Sequence, residues 1–208
     1  MAAYCGTTTN SNFLAIAKNE NMNDLFIPLI LGTVRQGRMS EPIAKFILEQ
    51  VLQYQGVETE LIDIRKLPIP LIDAGPNAKI PGFSEVVQRA DGLIIVTPEY
   101  NHTYPGLLKH VLDLNYKEYL HKAVGICSVS AGSFGGVRAV EALLPTLKAF
   151  GLGTIVTDLN FGNVERIVDE SGHLIEPETY IRRFKRFMTE LVWLTKTLKY
   201  GRENFPIS

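Results

Sequence analysis

Five stretches of the chain carry strand-type patterns, and helical spacing fills the gaps between them. Residues 26–31 and 92–96 are unbroken apolar runs, and 123–129 is a further strand, apolar but for Ser128. Residues 57–64 alternate, and 155–159 form a short fifth strand. Uninterrupted runs suit a sheet buried on both faces, with parallel strands covered by helices. A helix is predicted over 40–55, with Ile43, Ile47 and Val51 in one row, Ala44, Leu48 and Leu52 in the next, and Gly56 ending it. Another over 83–90 turns Val86 and Val87 inward. A third starts at 103–105 and carries Leu107, Leu108, Val111 and Leu112. A fourth, over 137–150, has Val140, Leu144 and Leu147 on one face and Pro145 as a potential kink.

The last helix starts near Pro177, a residue suited to a first helical position. Its apolar row is Tyr180, Phe184, Phe187, Met188, Leu191, Thr195 and Leu198, and Arg182, Arg183, Lys185 and Arg186 make its wet face. Residues 67–82 read as a stiff, proline-rich loop. Residues 160–175 read as an irregular extension, with a turn at 169–172 between two apolar pairs. Five strands alternating with five helices give an open, doubly wound α/β sandwich. Ligands in such sheets sit beyond the carboxyl ends of the strands. The loops after strands one, three and four are the unusual ones, so all three are expected to converge on one edge.

Composition changes this picture little. With 208 residues, 46% of them hydrophobic, one core and a single domain over 25–208 are expected. Residues 1–24 are polar and patternless and read as a tail outside the fold. A net charge of −1 argues against nucleic-acid binding and lacks the acidity of a carrier that docks on basic partners. Cys5 and Cys127 show no disulfide or metal spacing, which points to a reducing, cytoplasmic compartment. No run approaches the ~20 apolar residues of a spanning helix, so no membrane partner is expected.

The first loop offers Arg35, Arg38 and Ser40 at a strand-to-helix junction. Free N–H groups and a partial positive charge there suit a phosphate. The alternative is an ordinary turn with two solvated arginines. Residues 32–37 lack the middle glycine of a dinucleotide fingerprint. Gly32 and Gly37 have Walker A spacing, but Arg38 and Met39 replace its Lys and Ser/Thr. A single terminal phosphate fits better. The second loop, Pro98, Glu99, Tyr100 and Asn101, can grip the edge of a flat heterocycle, or can be a stiff loop with Tyr100 packed inward. The third loop is glycine-rich, and its backbone can approach a ligand. Ser130 there is also set much like a hydrolase nucleophile, with His173 the only histidine downstream. His102, near the second loop, reads as a polar loop residue.

Three strings then carry a resemblance: Gly32-Thr-Val-Arg35-Gln-Gly-Arg38-Met-Ser40, Pro98-Glu-Tyr-Asn-His-Thr-Tyr-Pro105-Gly-Leu-Leu-Lys109, and Ser130-Ala-Gly-Ser-Phe-Gly-Gly136. Together they resemble the NAD(P)H-dependent FMN reductases, a family of quinone, azo-dye and chromate reductases. The resemblance implies a flavodoxin-like three-layer sandwich with a five-stranded parallel sheet in order 2-1-3-4-5 and bound FMN. It assigns Thr33, Arg35, Arg38, Met39 and Ser40 to the FMN phosphate. Pro98, Glu99, Tyr100 and Asn101 fall to the ring and ribityl chain, and Ser130, Ala131, Gly132 and Ser133 to the pyrimidine side of the ring. Thr33 stands where many members have serine, and Ala131 and Ser133 are positions that vary. The implied chemistry is flavin-borne, with no catalytic side chain and no metal. NADPH or NADH passes hydride to the flavin N5, and two electrons then go to a quinone, azo, metal-oxyanion or flavin acceptor. A homodimer or homotetramer is implied as well. A flavodoxin-type carrier without turnover is the alternative.

Overall fold

The first apolar run lies inside the sheet, second in the strand order, and is covered on both faces, which is why it is apolar throughout. In the computed structural model, which describes residues 25–71, 75 and 78–205, this run forms β1 (Leu25–Phe26) and β2 (Leu29–Leu31). Pro28 separates them because it has no N–H to give. The ladder resumes around it, with Ile27 N–H donating to Glu58 O at 2.9 Å and Leu29 N–H to Glu60 O at 2.8 Å. The second strand is divided to match, into β3 (Val57–Glu58) and β4 (Leu61–Asp63). It stops short of the expected 57–64, because Asp63 accepts Arg65 N–H at 3.0 Å and turns the chain into a 3₁₀ helix, Ile64–Lys66.

β5 (Gly92–Pro98) and β6 (Ala123–Val129) are continuous and buried along their length. β7 (Gly153–Thr154) and β8 (Leu159–Phe161) both pair with β6. All pairings between these strands are parallel among the described residues. Joined across their breaks, the strands stand in the order 2-1-3-4-5 that was expected.

Strand five differs from its expected form. Residues 155–159 were to be a continuous strand, yet the chain leaves the sheet there. Val156 is 88% exposed, and Thr157 N–H donates to Glu190 Oε2 at 2.9 Å rather than to β6. Asp158 lies half-buried in this break. Burial, with Glu141 and Glu190 adding repulsion, pushes its carboxyl up to about 6.

Alternation along the strands sorts two cores. Leu29, Leu31, Ile94, Val96 and Cys127 face α1 (Ser40–Leu52) and α6 (Pro177–Asn204). Ile30, Ile95 and Ile126 face α2 (Phe83–Arg89), α3 (Gly106–Asp113) and α4 (Val137–Ala149). α4 runs through Pro145. Leu52, expected in the inner row of α1, is 56% exposed in its last turn. Arg183, expected on the wet face of α6, reaches back to donate to Asn160 O at 3.3 Å. A short helix not foreseen, α5 (Val164–Ile167), precedes the turn at 169–172, which closes with a Val168–Leu174 bridge. The expected tail, residues 1–24, and Cys5 lie outside the described residues. Among those described, no helix is long and apolar enough to cross a membrane.

At the amino ends of the strands, charged groups close on one another. Asp91 accepts Phe26 N–H at 3.0 Å and Lys199 Nζ at 3.0 Å, with Arg202 Nη2 at 3.7 Å. Lys122 is buried, donates to Val87 O at 2.6 Å and Gln88 O at 2.8 Å, and is lowered to about 8, chiefly by burial.

Candidate functional site

Three parallel strands end side by side at the opposite edge, so their loops meet. β2 opens through Gly32 and Thr33 into α1, β5 ends at Pro98, and β6 ends at Val129. Gly32 is needed by packing: a Cβ there would lie 2.7 Å from Leu108 Cδ2 of α3 and 3.1 Å from Val96 O. Thr33 is buried, and its hydroxyl lies 3.0 Å from Tyr100 Oη. Arg35 is exposed, with its guanidinium carbon 4.2 Å from the Tyr100 ring centroid. Tyr100 thus joins the first loop to the second. Glu99 joins the second to the third through Arg138 Nη1 at 3.1 Å, and its N–H donates to Val129 O at 2.9 Å. Asn101 and His102 form an exposed turn with φ of 50° and 68°, closed by the Tyr100–Thr103 bridge.

The two arginines of the first loop behave differently. Arg35 pairs with no carboxylate among the described residues. Arg38 is buried and engaged: Nη1 donates to Thr33 O and, at 2.8 Å, to Asp63 Oδ1; Nη2 donates to Asp63 Oδ2, and Nε to Glu41 Oε2 at 3.3 Å. Burial opposes the Asp63 carboxylate, but hydrogen bonds from Arg38 and the Arg65 N–H outweigh it and hold the group below its ordinary range. Glu41 is also held low, by Lys45 first and then Arg38. Neither of the two arginines is simply solvated. Met39 is half-buried and packs against the α1–α6 core.

Ser40 begins α1 and does not cap it. No side chain caps that helix, and the buried Ser40 Oγ has no hydrogen-bond partner. An orphaned hydroxyl at an uncapped, positive helix end invites an anion.

In the third loop, Ser130 Oγ donates to Gly132 O at 2.9 Å. His173 lies in its own turn, 4.0 Å from Asp169 and 73% exposed, so the hydrolase arrangement of Ser130 with His173 does not form. Ala131, Gly132 and Ser133 are exposed, and their N–H groups make no backbone hydrogen bond. A Cβ at Gly132 would meet nothing nearer than Ser130 Oγ, at 4.0 Å. The neighbouring glycines serve packing instead. At Gly136, with φ +89°, a Cβ would lie 2.8 Å from Ser128 Cβ; at Gly135 it would lie 3.0 Å from Asn160 Cβ. The site thus brings together Thr33, Arg35, Ser40, Pro98, Glu99, Tyr100, Asn101, Ser130, Ala131, Gly132 and Ser133, with Arg38 behind the first loop. Sequence reasoning missed Asp63 and Arg138, whose signals are contacts with residues 25 and 39 positions away.

Comparison with known proteins gives this edge its context. The model of the NADPH-dependent FMN reductases matches residues 27–165, which contain all three loops. The chain belongs to that family. As a member it is an oxidoreductase, which agrees with the resemblance read from the three strings. An NADPH azoreductase of Bacillus sp. (strain OY1-2) is 31% identical over 124 residues, 57% of this chain and 66% of the relative. A quinone reductase of Pseudomonas putida is 26% identical over 157 residues, 71% of this chain and 83% of the relative. The flavoenzyme NAD(P)H:(acceptor) oxidoreductase FerB of Paracoccus denitrificans superposes with a TM-score of 0.67 at 19% identity, covering 83% of this chain and 98% of that one, a likeness of fold. With strand order 2-1-3-4-5, the FMN reductase homologue described here is flavodoxin-like.

Proposed function

We propose that the three loops hold FMN and that the protein passes electrons from NADPH or NADH to a flat acceptor. The observation that carries this reading is the orphaned Ser40 hydroxyl at the uncapped start of α1, which ends the same loop that carries Arg35, an arginine with no carboxylate partner among the described residues. FMN fits that donor set through its phosphate. Arg35 supplies a bidentate fork, and Ser40 and the first N–H groups of α1 complete the anion site. Thr33 and Met39 shape the loop, and Arg38 supports it from behind. Pro98, Glu99, Tyr100 and Asn101 lie along the ring and ribityl chain. The free N–H groups of Ala131, Gly132 and Ser133 favour negative charge on the pyrimidine side of the ring.

When bound, FMN supplies two-electron chemistry between a nicotinamide and an acceptor. The protein's part is to orient it and leave one face open. Quinone, azo compound, metal oxyanion and free flavin all need only an open, flat cleft. We take the protein as a cytoplasmic homodimer or homotetramer in which residues 1–24 lie outside the domain, with neither membrane nor nucleic acid as a partner.

The test is a visible spectrum of protein reconstituted with FMN, then anaerobic addition of NADPH or NADH, then of a quinone. A yellow protein bleached by either nucleotide and recoloured by the quinone supports the reading. A colourless protein overturns it. Colour without bleaching by either nucleotide favours the flavodoxin-type carrier.

A further inference from the structure

The first loop is not shaped by its own residues alone. Arg38 is 4% exposed at its side chain, and its principal counter-ion, Asp63, is 10% exposed and belongs to the neighbouring strand. Asp63 is the last residue of β4, registered against Leu31, the last residue of β2. The sheet therefore sets where the Asp63 carboxylate lies, and the carboxylate sets where Arg38 lies. Arg38 in turn spans the loop, from the Thr33 carbonyl at its start to Glu41 in the first turn of α1. Four donor contacts are engaged in this way, out of the five N–H groups of a guanidinium. Little remains for a phosphate, whereas Arg35 meets only the Tyr100 ring.

We infer that Asp63 is a positioning residue for the FMN phosphate: it fixes Arg38 as the internal brace of the 33–40 loop and leaves Arg35 and Ser40 to face the anion. This assignment rests on the FMN reading above. Its consequence is selective. The brace acts on the loop that meets the phosphate, and neither Tyr100 nor the third loop contacts Asp63 among its hydrogen bonds and ion pairs. Loss of Asp63 therefore reduces the preference for FMN over riboflavin, which has the same ring and no phosphate. A general loss of stability weakens both flavins alike.

The experiment titrates apoprotein with FMN and with riboflavin, following flavin fluorescence, for the wild type, Asp63→Asn and Asp63→Glu. For Asp63→Asn, FMN affinity falls about tenfold, as when outer-shell partners of a bound group are removed, and riboflavin affinity stays put. Asp63→Glu keeps the charge pair and shifts Arg38 by about one methylene. It gives a smaller fall in the same ratio, and it carries the test if Asp63→Asn does not fold. An unchanged FMN-to-riboflavin ratio in the folded variants overturns the assignment. So does tighter FMN binding by Asp63→Asn, which makes Arg38 a phosphate ligand that Asp63 restrains. A wild type that binds no FMN removes the FMN reading itself, and this assignment with it.

Discussion

At the amino ends of the strands, Asp91 takes a backbone N–H and two cations, and buried Lys122 closes on two carbonyls. At the carboxyl ends, Ser40 Oγ has no partner, α1 has no side-chain cap, and the N–H groups of three successive exposed residues of the third loop make no backbone bond. The same sheet supports both edges. One is finished in that its charged groups are met by protein groups, although the Thr195 hydroxyl beside Gly92 has no partner there. The other has a surplus of donors that the protein itself does not use and that suit a ligand rich in acceptors. Arg38 belongs with the finished kind although it stands among the unfinished, since its charge is met by Asp63 and Glu41.

Breaking the finished edge has the largest expected effect. Asp91→Ala leaves Lys199 and Arg202 without their carboxylate and Phe26 N–H unpaired. Stability falls by about 3 kcal/mol, read from denaturant midpoints, while FMN affinity stays unchanged. Loss of FMN binding by this variant, in a sample still folded, contradicts the division between the edges.

Arg35→Ala inverts that result. It removes a charged donor from the unfinished edge and weakens FMN by about 2 kcal/mol, roughly 30-fold, in a calorimetric titration. Stability moves by less than about 0.5 kcal/mol, because Arg35 is exposed. A large drop in thermal stability here counts against the comparison.

Ser40→Ala gives the smallest effect, with opposite signs in two measurements. The apoprotein gains up to about 1 kcal/mol because a buried hydroxyl without a partner is gone. FMN affinity falls about fivefold, the loss of one hydrogen bond of about 1 kcal/mol. A destabilised apoprotein shows that the hydroxyl is already satisfied without a ligand.

Much of the fold was legible because a parallel sheet buried on both faces writes itself as apolar runs. β6 has the predicted bounds, and the inner row of α6 is the predicted one from Phe184 to Thr195. The sequence did not reveal where a strand leaves its ladder. Val156 is as suited to a strand as Ile155, yet the next N–H, of Thr157, goes to Glu190, 33 residues away, instead of to the ladder. In the site, residue types were legible but their orientation was not. Arg35 and Arg38 look equivalent in a string of nine residues. What separates them is a carboxylate on the next strand. Likewise, glycines read as room for a ligand divide by position, with space beside Gly132 and crowding at Gly135 and Gly136.

Gly32 shows how such crowding extends beyond the groups that would meet a cofactor. With 2.7 Å between its missing methyl and Leu108 Cδ2, even alanine forces the Leu108 side chain to shift, and α3, which carries Leu108, starts just beyond the Tyr100 turn. A mutational scan scored only by flavin retention would mark position 32 as sensitive as Arg35. That sensitivity would report the thickness of a helix–sheet seam, and an engineer reshaping the cleft would do better to leave the position alone.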